Sequence, residues 1–317
     1  MDYKKFIQNG YLNLGEIIDK KKCRDLYKKI ESSRDWGENL FRSENDIDEN
    51  MWLPKTKYSP PSKTNPGKNI CNYSEKVDLS FIEKNTTFKK TIEDICGPDH
   101  EILLKKFVVA TPRDWVPNWL HERMKKNYID NLNPFIKNEY RDFTYFRGID
   151  YHMDVMDRLN TKLDLITVYV YINDVTDEMS PLHVVNKSHK FCNTIFPHPY
   201  EDDDDKNKTV VLSDGNRKEK MTKEILTGNT GNVYLWSGVT YHRTKPFKSI
   251  DKPRISLRYT IKKNKDLKKI FIIDKFLEEN KLLNFRNVKN NTSIITGKKT
   301  SKEYSNFNKN SNNKKFY

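Results

Sequence analysis

The sequence predicts a mainly β fold with flanking α-helices: a double-stranded β-helix, a cupin-like jelly roll of two facing antiparallel sheets, with N-terminal helices that buttress one sheet. Three observations predict it. Helical periodicity is concentrated before residue 100, short apolar strands follow long polar loops after it, and candidate ligand residues stand at strand ends. A chain of 317 residues can bury one large core, so we expect a single domain over residues 1–284.

The N-terminal part carries the helical signals. Residues 2–8 fit a short helix, and residues 11–15 alternate as a strand. Residues 19–32 place Cys23, Leu26 and Ile30 at helical spacing, with an aspartate near the start. Apolar residues over 81–96 followed by Gly97-Pro98 predict a second amphipathic helix that ends at a glycine.

After residue 100 the pattern becomes that of strands. Predicted strands cover residues 101–111, 163–174, 182–185, 233–236 and 254–261, and a helix is expected over 267–283. Three polar segments separate these elements and are predicted to be loop insertions near the mouth of the active site: residues 33–75, 113–147 and 190–227. The acidic run 201–205 belongs to the last of them, and we expect it to be a solvated, mobile loop because it lacks a calcium-loop pattern.

The net charge of +14 invites a nucleic-acid interpretation. However, residues 262–317 hold 15 Lys and Arg against 5 Asp and Glu, so the basicity lies mostly in the C-terminal part. Residues 285–317 are rich in Asn, Lys and Ser, which predicts a poorly ordered tail without a nucleic-acid role. The four cysteines are widely spaced, which favours reduced thiols. With no signal peptide or membrane-length apolar run, we expect a cytoplasmic protein that contacts no membrane.

The segment most suggestive of chemistry opens with His152-Met153-Asp154. In a strand, residues i and i+2 point to the same side, so an imidazole and a carboxylate would emerge together. His242, far along the chain, is the candidate third ligand of a 2-His-1-carboxylate triad, which leaves three metal positions open for chemistry at Fe(II). Taken alone, His-x-Asp is weak, because seven histidines and 44 acids would give about one such pair by chance.

The order of the surrounding motifs is more specific. After the His-x-Asp come a buried strand, a turn, Pro181 to Lys190 (PLHVVNKSHK), a long excursion, Gly231 to Trp236 (GNVYLW), His242 and Arg254. This order resembles the phytanoyl-CoA dioxygenase-like family of Fe(II)/2-oxoglutarate-dependent dioxygenases. The sequence departs from the family at Asn186-Lys187, usually Pro-Gly, and at Asn232, usually Asp; neither position is a metal or cosubstrate ligand in that family.

The resemblance implies that His152, Asp154 and His242 hold Fe(II), that 2-oxoglutarate chelates the iron, and that O2 takes the remaining position. It implies hydroxylation of a small molecule with release of succinate and CO2, with ascorbate as the reductant in vitro. Related halogenases replace the carboxylate ligand by a small residue, so Asp154 argues for halide-free oxidation.

Arg254 is the expected clamp for the distal carboxylate of 2-oxoglutarate, because a guanidinium offers two parallel donors. Strand alternation puts Arg254, Ser256 and Arg258 on one side, so Ser256 is an expected helper and Arg258 the second candidate for the clamp. Lys106 and Thr167 are weaker candidates for cosubstrate contacts, with packing as the alternative.

The remaining histidines are given no catalytic role: His183 and His189 lie in the strand and turn after Pro181, and His100, His121 and His198 have no acid at i+2.

Two other functions stay open from the sequence. One is a cupin-type metal-binding protein or isomerase without oxidase activity, and the other is a nucleic-acid-binding protein that acts through the basic tail. For the substrate we expect a compact anionic or zwitterionic molecule, because the predicted loops combine aromatic residues with basic ones, namely Arg42, Lys55, Lys57, Arg113, Arg123, Lys125, Lys126 and Arg147. The sequence does not indicate an oligomeric state.

Overall fold

Two facing six-stranded β-sheets form the body of the protein. The computed structural model describes residues 2–47, 72–125, 129–154, 163–191, 198, 200–213, 218–248, 251–264 and 269–282. The strands are β1 (Tyr11–Glu16), β2 (Glu101–Ala110), β3 (Thr144–Phe146), β4 (Ile149–His152), β5 (Leu165–Tyr171), β6 (Leu182–Val185), β7 (Tyr200–Asp204), β8 (Thr209–Ser213), β9 (Lys218–Leu226), β10 (Asn232–Ser237), β11 (His242–Thr244) and β12 (Arg254–Lys262). The helices are α1 (Lys4–Asn9), α2 (Lys20–Glu31), α3 (Ser80–Glu83), α4 (Thr86–Cys96), α5 (Asn118–Met124) and α6 (Ile272–Glu279).

The major sheet has the strand order β1-β10-β5-β12-β2-β3, and the minor sheet has the order β4-β11-β6-β9-β8-β7. All pairs are antiparallel except β2 with β3. The predicted jelly roll is therefore confirmed. β5 lies in the middle of the major sheet and is buried along its whole length, which explains why its sequence is an almost continuous apolar run.

The helices cover the outer face of the major sheet, as expected. Phe88 of α4 packs against Tyr259 of β12 with ring centroids 5.6 Å apart. The C-terminal α6 joins this layer, since Phe276 packs on Phe6 of α1 at 5.2 Å. The buttress thus combines N-terminal helices with one from the other end of the chain.

The helix predicted over 81–96 is broken in two. Asn85 accepts a hydrogen bond from the backbone N–H of Phe88 at 3.0 Å, the contact of an N-cap residue, and so α4 begins at Thr86. The helix α2 begins as predicted, because Asp19 caps it through the N–H of Lys22. The helix expected over 267–283 is shorter, at Ile272–Glu279.

Two expectations about loops were wrong. Residues 200–226, assigned to a loop insertion, contribute β7, β8 and β9 to the minor sheet. The acidic run 201–205 is not simply solvated: the side chain of Asp203 is only 7% exposed and pairs with buried cations. Local composition indicated solvent, but tertiary partners for the carboxylates override it.

The described residues of the predicted loop insertion 113–147, which are 113–125 and 129–147, are mostly irregular, with short helical turns, α5 and β3. Cys23 and Cys96 are buried free thiols. Most of the predicted loop 33–75, the predicted tail, Cys71 and Cys192 lie outside the described residues. The described part of the chain has no helix with the length and apolar character needed to cross a membrane.

Candidate metal centre

The structure brings His152, Asp154 and His242 together at one end of the minor sheet. His152 ends β4, and His242 begins β11 directly opposite it in the antiparallel pair. Asp154 follows β4 by two residues, and one ligand atom from each of the three residues lies within 4.8 Å of the others. Two histidines and one carboxylate at this spacing can hold a divalent metal and leave coordination positions open.

Backbone carbonyls orient both imidazoles. Nδ1 of His152 lies 2.8 Å from the carbonyl oxygen of Asp150, and Nδ1 of His242 lies 2.9 Å from that of Thr240. A carbonyl oxygen only accepts hydrogen bonds, so each Nδ1 carries the proton and each Nε2 keeps its lone pair for a metal. Burial, together with neighbouring His152, lowers the pKa of His242 to about 3, so His242 is neutral at pH 7, the form that binds a metal.

Three donors fix the carboxylate of Asp154. Its Oδ2 accepts hydrogen bonds from Oγ1 of Thr167 at 2.6 Å and from Nε1 of Trp236 at 3.0 Å. Its Oδ1 accepts from Nη2 of Arg258 and lies 3.7 Å from Nε2 of His242. Oδ2 is thus occupied by protein donors, and Oδ1 is the oxygen turned toward the histidines.

The charge on Asp154 is held by its surroundings. Burial alone would raise the pKa of this carboxyl, but the Arg258 guanidinium and the two imidazoles hold it well below its ordinary value. Asp154 is therefore an anion at any pH near neutrality, as a metal ligand must be. The donor set fits Fe(II), which prefers imidazole and carboxylate in this combination.

The expected clamp, Arg254, lies on the inner face of β12. It is 2% exposed, and its Nε and Nη1 have no hydrogen-bond partner within the described protein. Ser256, two residues on, is fully buried, and its hydroxyl also lacks a partner there. Across the sheet these two residues face Ala110 and Val108 of β2.

Buried donors without partners are costly, so a guanidinium and a hydroxyl in this condition fit an anionic ligand group between them. Tyr171 adjoins this pair, because it is opposite Ser256 in β5 and its phenol interacts with Arg254. The phenol also donates to the carbonyl oxygen of Leu226 at 2.6 Å, which holds the ring in place.

Arg258, the second candidate for the clamp, is engaged by Asp154 instead. Thr167, a candidate for a cosubstrate contact, also donates to Asp154. Lys106 lies half-buried opposite Arg258 in the β2–β12 pair, so it faces the same interior.

The other histidines lie elsewhere. His183 points to the reverse face of the minor sheet, 3.6 Å from Asp205, and His189 contacts Asn280. His198 stacks on Tyr241 at 4.2 Å between centroids. His100 and His121 contact the backbone carbonyls of Gly97 and Arg113.

Sequence reasoning missed Trp236 and Tyr171. Both stood in predicted strands, but nothing local indicated that Trp236 faces Asp154. The signal lay in the register: Trp236 is directly opposite Thr167 in the β10–β5 pair, so the two side chains project side by side into the interior.

Comparison with known proteins identifies the family of this chain. The sequence model for phytanoyl-CoA dioxygenase (PhyH) matches residues 6–256. The chain belongs to the phytanoyl-CoA dioxygenase family. The predicted resemblance is confirmed, and members of this family are Fe(II)- and 2-oxoglutarate-dependent non-haem enzymes.

Among solved structures, the chain is similar to EvdO2 from Micromonospora carbonacea var. aurantiaca complexed with 2-oxoglutarate, at 13% identity and a TM-score of 0.46, over 83% of this chain and 90% of that one. It is also similar to SnoN, a non-haem alpha ketoglutarate dependent epimerase from nogalamycin biosynthesis, at 11% identity and a TM-score of 0.45, over 82% of this chain and 81% of that one. Such remote similarity carries no substrate over to this chain. No curated protein matches it.

Proposed function

We propose that this phytanoyl-CoA dioxygenase family member is a hydroxylase of a small molecule, which uses Fe(II), 2-oxoglutarate and O2 and releases succinate and CO2. The observation that carries the proposal is the pairing of two features in one interior. A His-Asp-His set converges within 4.8 Å, and a buried guanidinium with partnerless donors lies on the neighbouring sheet. The first fits the metal, and the second fits a dicarboxylate cosubstrate.

When bound, Fe(II) and 2-oxoglutarate would supply the O2 activation and the oxidising power. The chain's own residues bind and orient. His152 and His242 offer Nε2, and Asp154 offers Oδ1 while Thr167 and Trp236 hold its other oxygen. The retained carboxylate of Asp154 occupies the place that halide needs in related halogenases, which supports hydroxylation.

Arg254 is proposed to bind the distal carboxylate of 2-oxoglutarate, with help from the hydroxyl of Ser256. A strand rises about 3.3 Å per residue, so the four residues from Arg258 to Arg254 span about 13 Å. Arg258 marks the metal end of this row through Asp154. Ser256 therefore lies between the metal ligands and Arg254, along the path that a five-carbon dicarboxylate would follow.

The substrate is proposed to be compact and anionic or zwitterionic. Among the charged groups that face the described interior, Arg254 is assigned to 2-oxoglutarate and Arg258 pairs with Asp154. Lys106 and Glu224, which also face this interior, give it one further charge of each sign. Some basic groups of the mouth give less support than expected, because Arg123 and Lys125 pair with Glu44 and Glu122. Lys55, Lys57 and Lys126 lie outside the described residues. A substrate panel tests this: preference for an uncharged hydrophobic compound over carboxylated ones of similar size would overturn it.

The reaction is tested in two steps. First, wild-type protein is mixed anaerobically with Fe(II) and 2-oxoglutarate, and the visible charge-transfer absorption of the chelate is expected; His152→Ala is the control that should lack it. Second, with ascorbate, O2 and a metabolite pool, we expect succinate release and one oxygen atom from 18O2 in the product.

No chelate band and no iron-dependent consumption of 2-oxoglutarate would overturn the proposal in favour of a cupin-type protein without oxidase activity. A product without added oxygen would retain the reaction class but exclude hydroxylation.

A cytoplasmic location and the absence of nucleic-acid binding stay predictions. Truncation after residue 284 tests the absence of nucleic-acid binding. We expect the truncated protein to keep its turnover. If the basic tail binds nucleic acid, truncation should abolish that binding.

A further inference from the structure

The acidic run 201–205 contacts the strands of His152 and His242 on the reverse side of the minor sheet, which is the face away from the proposed metal site. Asp203 in β7 is opposite Val210 in β8, which is opposite Met221 in β9. Paired residues share a face of a sheet, and Lys223 lies two residues beyond Met221 on that same face. The last acids of the run therefore project onto the reverse side of the minor sheet, where Lys223 is buried.

Arg243 is the residue of β11 on this reverse side, next to the metal ligand His242. Its guanidinium is ion-paired with Asp203 and lies over the ring of Tyr151 at 4.7 Å. Nη1 of Arg243 is 4.0 Å from Oδ1 of Asp150, so it also approaches the strand β4. Only 2% of the Arg243 side chain is exposed.

Tyr151 is the residue of β4 next to the other metal ligand, His152. Its hydroxyl donates a hydrogen bond to Oδ1 of Asp203 at 3.0 Å. One carboxylate, that of Asp203, therefore contacts the sequence neighbours of both metal histidines, one on each strand.

Two lysines hold Asp203 in this place. Lys223, whose side chain is fully buried, pairs with both Asp203 and Asp205. Lys245 also approaches both acids, at 3.5 Å from Asp203. Three cations thus meet three acids when Asp150 is included. Lys245 and Asp205 are partly exposed, whereas Asp203, Lys223 and Arg243 are buried, and buried ionic groups depend strongly on their partners.

The strands that carry the histidines are weakly defined by their backbone alone. β4 has four residues and β11 has three, and their pairing is irregular between His242 and Thr244, at Arg243 itself. Few backbone hydrogen bonds therefore set the separation of His152 from His242. Contacts on the reverse face have more influence here than they would on long regular strands.

We propose that Asp203 is a positioning residue for the metal centre, which sets the separation of His152 and His242 by holding Tyr151 and Arg243 together on the reverse side of their strands. The inference rests on the metal site of the proposed function. It assigns a role to the acidic run that its sequence did not indicate.

The test is Mn(II) binding by titration in three proteins: wild type, Asp203→Asn and Glu201→Gln. Asparagine keeps the shape of Asp203 but removes its charge. Glu201→Gln is the matched control, because Glu201 lies on the same strand and pairs with the exposed Lys218 at 2.7 Å. We expect Asp203→Asn to weaken Mn(II) binding by about tenfold, the usual scale for a residue that supports metal ligands without binding the metal. Glu201→Gln should stay within about twofold of the wild type.

A second readout separates positioning from general stability. In the anaerobic complex with Fe(II) and 2-oxoglutarate, Asp203→Asn should shift or broaden the charge-transfer absorption. Thermal unfolding of the variant should still be a cooperative transition, which shows that it is folded. If Asp203→Asn does not fold, Tyr151→Phe decides: it keeps the ring under Arg243, loses only the hydroxyl, and should weaken Mn(II) binding in the same direction.

If the folded Asp203→Asn protein binds Mn(II) as tightly as the wild type, the positioning role is overturned and the proposed function stays intact. The same holds for Tyr151→Phe if Asp203→Asn does not fold. Absence of any Mn(II) binding that depends on His152 in the wild type overturns both.

Discussion

The indole Nε1 of Trp236 donates a hydrogen bond to Oδ2 of Asp154 at 3.0 Å, so a strand of the major sheet holds a proposed metal ligand that follows a strand of the minor sheet. The same indole ring lies 5.0 Å from the ring of His242. Trp236 therefore contacts two of the three proposed ligands, one by a hydrogen bond and one by packing. This relationship turns Oδ1 of Asp154, which also accepts a hydrogen bond from Arg258, toward His242.

Trp236→Phe tests that relationship. Phenylalanine keeps an aromatic ring against His242 and Tyr169 but removes the donor to Oδ2, so the carboxylate can turn away from the histidines. We expect metal affinity to fall by about tenfold. The matched control is Tyr234→Phe on the same strand, whose hydroxyl donates to the carbonyl oxygen of Thr227, away from the ligands. Equal affinities in both variants, measured by Mn(II) titration, would contradict the assigned role.

His152→Ala and Asp154→Ala should both lose metal binding and turnover, because two remaining protein ligands are too few for an open iron site. Their stabilities should differ. Asp154→Ala also takes a buried carboxylate away from Arg258, which costs about 3 to 5 kcal/mol in comparable buried pairs. His152→Ala leaves the pair of Asp154 and Arg258 intact, so the metal-free protein should unfold closer to the wild-type midpoint. Equal unfolding free energies of the two metal-free variants in denaturant titrations would argue against the buried pair.

Arg254→Met should keep the metal and raise the KM for 2-oxoglutarate. A charge-assisted contact of this kind contributes on the order of 2 to 3 kcal/mol, or some tens to a hundredfold in KM. Ser256→Ala should give a smaller increase.

Arg258→Met is the matched control for this assignment, because it removes a guanidinium from the same face of the same strand. It should weaken metal binding first, since Arg258 contacts Asp154. If Arg258→Met raised this KM and Arg254→Met did not, the assignment of the clamp would be wrong.

His189 should make the stability of the fold depend on pH. Its Nε2 lies 2.9 Å from Oδ1 of Asn280, just after α6, and its ring packs on Phe276 at 4.9 Å. Burial lowers the pKa of His189 to about 4 from an ordinary 6.5, with the Asn280 contact opposing this shift. The unfolded chain therefore takes up the proton first, so the stability is complete above pH 6.5 and decreases as the pH falls toward 4.

The decrease for this one group is at most about 1.4 kcal/mol per pH unit. His189→Gln removes the titration, so the free energy of unfolding of the wild type, minus that of the variant, should fall over this range. A difference that stays constant from pH 7 to 4 in urea titrations would contradict the prediction.

The three ligand candidates could be recognised from the sequence because they depend on local order. The i, i+2 spacing of His152 and Asp154 follows from strand alternation, and His242 and Arg254 follow the motif order after Trp236. The fold class follows from the same kind of information, since the strands alternate or form buried runs and the helices are capped, as α2 is by Asp19. These are short-range properties that each segment carries wherever it is placed.

What only the tertiary structure decided are relations between distant segments. Arg258 contacts Asp154, whereas Arg254 does not. This difference depends on where β12 lies relative to the proposed metal site. That Asp203 is buried depends on Lys223 and Arg243, which are respectively 20 and 40 residues further along the chain. From local composition, such an acid is predicted to be exposed. The partners that compensate its burial are brought to it only by the register of the minor sheet.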